Sequence, residues 1–124
     1  MIRLNETSVM HLHELLTEVS GGDPALRDRN LLDSAISGAF QTFGGVELYP
    51  TLEEKAARLG HSLIANHAFV DGNKRIGLLV MLTFLAVNGA PLTVSDEDLI
   101  RVGLGVAAGE MNYEDLLAFV RSAR

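Results

Sequence analysis

Cysteine and tryptophan are absent from this chain. Without cysteine there is no disulfide staple, no thiolate nucleophile and no thiolate-ligated metal, and the redox compartment leaves no trace in thiols. Proline is scarce at 3 residues and aromatics make up only 6%, yet 48% of the chain is hydrophobic and 21% charged. That composition lies far from disordered or low-complexity proteins, so a packed core is expected. Cations are the scarcer charge: 10 Lys+Arg against 16 Asp+Glu leave a formal net charge of −6. An acidic chain gains no general attraction to phosphate backbones, which argues against direct nucleic-acid binding. Long apolar runs are missing too. The most apolar stretch, Ile76 to Val87, covers 12 residues, against the roughly 20 that cross a bilayer, so it reads as a buried helix and no membrane association is expected. The opening Met-Ile-Arg-Leu-Asn-Glu lacks the leader of a secretory signal, and a cytoplasmic location is the expectation.

What the sequence does contain is helical periodicity. At 124 residues it has the size of one domain, and 1–124 is read as a single unit. Val9, Leu12, Leu15, Leu16 and Val19 recur at helical spacing over 8–19, stopped by Gly21-Gly22 and Pro24. A second helix is predicted over 29–40, with Asp28 as N-cap and Leu31, Leu32, Ala35, Ile36 and Ala39 on its apolar face. Residues 41–50, with Gly44-Gly45 and Pro50, make a loop or small hairpin and a candidate flap. Thr51-Leu-Glu-Glu54 is a capping-box pattern, in which the Thr hydroxyl and the Glu carboxylate each take an orphan backbone N–H. The helix it opens runs to about Asn66, with Leu52, Ala56, Leu59 and Leu63 inward and Glu53, Lys55 and Arg58 mostly toward solvent. A helix over 73–88, apolar almost all round, must be surrounded by others. Ser95-Asp96-Glu97-Asp98 opens a further helix, and Tyr113, Leu116, Leu117 and Val120 mark a terminal one. No two-residue alternation is sustained. The expected fold is an all-α bundle around the 73–88 helix.

Chemistry concentrates in His67-Ala-Phe-Val-Asp71-Gly72-Asn73-Lys74-Arg75, at the start of that helix. The first N–H groups of a helix have no internal partner and sit at its positive end, so they invite an anion, and Gly72 lets a phosphate approach the backbone. Lys74 and Arg75 add charge-assisted hydrogen bonds to phosphate oxygens. Asp71 stands where a carboxylate can hold Mg²⁺ beside a nucleotide phosphate. His67 can take a proton from an incoming hydroxyl, since an imidazole titrates near neutral pH.

This segment resembles the signature of the Fic/Doc family, matched in register by His67, Phe69, Asp71, Gly72, Asn73 and Arg75. The likeness extends over RDRNLLDSAI, FGG, YPTLEEKA and the apolar helix ending in Asn88-Gly89, as in the short death-on-curing branch. The resemblance implies a Fic/Doc helical bundle and a transferase in which His67 deprotonates a protein hydroxyl that attacks a nucleotide phosphate. It assigns Mg²⁺ to Asp71, a phosphate cradle to Gly72, Asn73, Lys74 and Arg75, and an inward, loop-anchoring role to Phe69. Members that transfer AMP carry Gly-Arg after the Asn and a second Arg three residues beyond the first, whereas this chain has Lys74-Arg75 and Leu78. Doc-like members share Asn-Lys-Arg. They imply a toxin that transfers the γ-phosphoryl of ATP to a threonine of elongation factor Tu, blocks translation and is held by a cognate antitoxin. Gly72 agrees with the AMP-transferring pattern, so AMP transfer is the alternative; a module that binds nucleotide or antitoxin without turnover is another.

Other features read as structural. His11 and His13 stand two apart and so share no helix face, which makes them surface or packing residues rather than a metal pair. His61 is read as a hydrogen-bonded, partly buried histidine. Gly103 and Gly105 lie in a degenerate dinucleotide fingerprint that lacks its βαβ context, and are read as allowing close helix packing. Thr93 and Glu97 have the spacing of the inhibitory segment in self-inhibited Fic proteins, but Asp98 follows where that segment has Gly or Asn. Ordinary capping is the better reading there, and restraint of the active site then falls to a separate partner, expected as an antitoxin peptide that folds into a groove between helices.

Overall fold

The computed structural model covers residues 1–124. Its elements are α1 (Glu6–Ser20), α2 (Arg29–Gly38), strands β1 (Thr42–Phe43) and β2 (Val46–Glu47), then α3 (Leu52–Asn66), α4 (Asn73–Val87), α5 (Asp96–Ala107) and α6 (Tyr113–Ser122). Five starts follow from side-chain caps, four of them alike. Asn5, Asp28, Ser95 and Asn112 each accept the amide three residues on, which relieves one orphan donor per helix. Thr51 accepts from the Glu54 amide, but the box expected there is only half formed, because the Glu54 carboxylate takes the Thr51 hydroxyl instead of a backbone N–H. A complete capping box occurs at Asn112 and Asp115. No helix is long and apolar enough to cross a membrane.

The two strands form an antiparallel hairpin in which Thr42 faces Glu47 and Phe43 faces Val46. Gly44 and Gly45 turn it at φ of 59° and 82°, the positive values that a two-residue turn matching strand twist requires.

One cluster of 22 buried apolar residues forms the core, drawn from every helix. Its centre is the crossing of α3 and α4, which approach through glycine. A Cβ on Gly77 would lie 2.6 Å from Ile64 Cγ1 and 2.9 Å from the Gly60 carbonyl oxygen, so only hydrogen fits there. The same logic holds at α5, where a Cβ on Gly103 or Gly105 would meet Leu78 or Met111 at 3.1 and 2.8 Å. Gly103 thus allows α5 to pack on α4, as expected, whereas Gly105 faces Met111 in the turn that follows its own helix.

Three expectations need correction. Lys55 does not face solvent: it is 1% exposed, its Nζ 3.1 Å from Glu47 Oε1 and donating also to the Tyr49 carbonyl, because the hairpin folds back over that side of α3. Leu15 and Val19 carry the helical spacing of α1 but are 44% and 90% exposed, since the helix turns the face of Val9, His13, Leu16 and Thr17 to the core and these two lie off it. Nor is α4 enclosed all round. Leu78, Leu79 and Leu82 are half-buried and open into a groove of about 580 Å³ between α1, α4 and α5.

Candidate functional site

The segment 67–75 joins α3 to α4, and its shape follows from how each helix ends. At the end of α3, His67 takes the left-handed conformation, φ 52° and ψ 50°. It is the one non-glycine residue with positive φ in the chain. For an L-residue that conformation costs about 1 kcal/mol, so something must hold it. The chain then runs extended beside the α1–α2 connector. Leu26 and Phe69 form an antiparallel bridge, the Arg27 and Asp28 amides donate to the Ala68 carbonyl at 2.8 and 3.0 Å, and the Val70 amide donates to the Ala25 carbonyl at 3.1 Å. His67 is exposed, and so are Asp71, Lys74 and Arg75.

Beneath this strip two buried side chains brace the loop. Phe69 is 2% exposed and stacks on His13, ring centroids 3.7 Å apart. His13 Nε2 donates to the Asp71 carbonyl at 2.7 Å, which leaves its buried Nδ1 without a partner. Asn73 closes the turn from the other side: its Oδ1 accepts the Phe69 amide at 3.1 Å and its Nδ2 donates to the Phe69 carbonyl at 2.9 Å. The side chain of Asn73 is therefore spent on the loop, and what it can offer an anion is its main-chain amide.

The start of α4 is open. Gly72 is its N-cap at φ 78°, no side chain caps it, and the first bond of the helix runs from the Ile76 amide to the Gly72 carbonyl at 2.8 Å. The Asn73, Lys74 and Arg75 amides have no acceptor in the chain. A Cβ on Gly72 would stand at ordinary contact distance, 3.4 Å from His13 Nε2 and 3.6 Å from Arg75 Nη2, so it is the left-handed backbone that favours glycine here. The Arg75 guanidinium donates to the Ser20 hydroxyl, at the end of α1. Lys74 and Arg75 also border the apolar groove. Open amides, a helix dipole and two cations make a site for a multiply charged anion.

The Asp71 carboxylate accepts the Asp23 amide on Oδ2 at 2.9 Å and has no other bond, so Oδ1 is free. No three His, Cys, Asp or Glu residues gather as a metal cage. That donor set suits Mg²⁺, which is commonly held by one or two carboxylates together with substrate phosphates and water.

The structure thus gathers His67, Asp71, Gly72, Asn73, Lys74 and Arg75 in one turn and its flanks. Sequence reasoning gave His13 no more than a packing role, although it lies four residues after Val9 and so on the buried face of α1. It assigned Arg27 nothing at all. Residues 3–85 match the model of the Fic/DOC family. The chain is also 43% identical over 98 residues, 77% of its own length and 75% of the relative's, to Toxin Doc of Mycolicibacterium smegmatis (strain ATCC 700084 / mc(2)155).

Proposed function

Since the chain belongs to the Fic/Doc family, we propose that it is a Doc-type toxin that phosphorylates a protein hydroxyl, a threonine of elongation factor Tu, at the expense of ATP, and so blocks translation in the cytoplasm. The observation that carries this is the uncapped start of α4, flanked by Lys74 and Arg75 and preceded by an exposed imidazole on a braced turn. The amides of Asn73, Lys74 and Arg75 bind phosphate oxygens, with Arg75 as a planar fork and Lys74 as a point charge. Mg²⁺, held by Asp71, would neutralise charge on the phosphates. His67 accepts the proton of the target hydroxyl. That oxygen bonds to the γ-phosphorus as the bond from phosphorus to the β–γ bridging oxygen breaks, and ADP leaves. Catalysis of this kind is mostly positioning and charge stabilisation, which fits a loop held by Phe69, His13 and Asn73.

The hairpin supplies an edge for the target. Phe43 and Val46 are 81% and 68% exposed at its tip, and its base is tied down by Lys55. The groove between α1, α4 and α5 is the seat proposed for an antitoxin helix, close enough to Lys74 and Arg75 to obstruct the phosphate site.

A second reading, transfer of AMP, draws on Gly72, which agrees with the AMP-transferring pattern at that position. ATP labelled at the α or the γ position, incubated with elongation factor Tu, separates the two. Label from γ alone is expected. Label from α would mean AMP transfer, and no transfer from either would defeat both. His67→Ala should keep its fold, because the side chain is exposed, and lose at least 100-fold in transfer.

A further inference from the structure

Arg27 lies in the connector between α1 and α2, outside the motif, and reaches three consecutive carbonyls. Its amide donates to Ala68 at 2.8 Å, its Nε to His67 at 2.7 Å and its Nη2 to Asn66 at 3.3 Å. The Asn66 and His67 oxygens belong to the end of α3, where helix carbonyls run out of intrahelical partners and negative dipole charge accumulates. The last turn of α3 has no basic residue of its own. The cation that answers this end of the dipole therefore comes from another element. It bonds the carbonyl of the one non-glycine residue in the left-handed conformation.

The geometry points to Arg27 as a positioning residue for the base: by gripping the His67 carbonyl it holds that residue at positive φ and so fixes the direction in which the imidazole leaves the backbone. This rests on the proposed role of His67 in proton transfer. Two features separate it from general support of the fold. Arg27 is exposed, and so are the bonds its guanidinium makes to the His67 and Asn66 carbonyls, so water can replace the guanidinium there without leaving a buried polar group unpaired. The phosphate site at the start of α4 is braced independently by His13 and Asn73, so nucleotide binding does not depend on this grip.

The test compares wild type with Arg27→Met and Arg27→Lys in the full chain. In Arg27→Met, kcat for transfer should fall by about 10- to 100-fold, the size of loss that a small misplacement of a reacting group produces. KM for ATP should stay within about twofold, because the amides that receive phosphate are untouched. Arg27→Lys, which keeps the charge but not the fork, should fall between. In parallel, the His67 backbone carbon and amide resonances of the variant, read by NMR, should leave their left-handed values or broaden. An unchanged kcat, or a loss confined to KM, overturns the proposal, and so do unchanged His67 resonances whatever the rate. Should Arg27→Met not fold, Arg27→Gln, which retains one donor, carries the same comparison. The NMR arm requires no turnover. A wild-type chain that transfers nothing would defeat the proposed function, while the resonances would still decide whether Arg27 holds His67.

Discussion

His61 and His67 stand six residues apart and meet opposite surroundings. His67 is exposed at the end of α3. His61 is half-buried inside α3, and although partial burial was expected, its Nδ1 has no hydrogen-bond partner. Burial, and then the nearby positive charge of Arg58, hold the His61 pKa below its ordinary 6.5, with Glu114 opposing weakly. The unfolded chain therefore binds a proton at this residue that the folded chain refuses. The stability contribution of neutral His61 is complete above pH 6.5 and is lost as pH falls through the depressed folded value. Thermal melts should show Tm dropping more steeply below that pH for wild type than for His61→Gln. Parallel curves would mean that His61 titrates alike in both states.

Among the elements, the α3–α4 pair positions the site, since one helix ends and the other begins at the motif. Their approach depends on Gly77, whose added methyl would strike both Ile64 and the Gly60 backbone. Backbone cannot step aside as a side chain can. Gly77→Ala should cost about 2 kcal/mol by overpacking, read as a lower urea midpoint at unchanged slope. A wild-type midpoint would show that the helices have slack. Much at this level was readable in advance. Asp28 and Ser95 announced their helices by cap chemistry, and Gly44-Gly45 marked a turn, because caps and turns depend on residues adjacent in the chain. Lys55 was misjudged. Its place on the helix wheel is polar, and nothing local indicates that the hairpin returns to cover it.

Over the whole molecule, the surplus apolar surface of α4 gathers in the groove with Leu16, Leu99, Ile100 and Leu104. Ile100 and Leu104 are 63% and 54% exposed. An antitoxin segment that folds there should bind with a strongly negative heat-capacity change, the mark of apolar burial. Calorimetric titration with the product of the adjacent gene should show it, and Ile100→Asp should weaken that binding at least tenfold while leaving the melting curve of the free chain nearly unchanged. Equal affinity for the variant would put the partner on another face.

The chain's order of residues was enough for the helical class, most helix starts and the cluster from His67 to Arg75, since each depends on spacing of a few residues and on chemistry within one turn. Folding in space supplied the rest. His13 comes 58 residues before the Asp71 carbonyl it holds, and Arg27 comes 40 before the carbonyl of His67. Contacts across such separations depend on how α1 and its connector dock against the motif loop, and no local pattern encodes that docking.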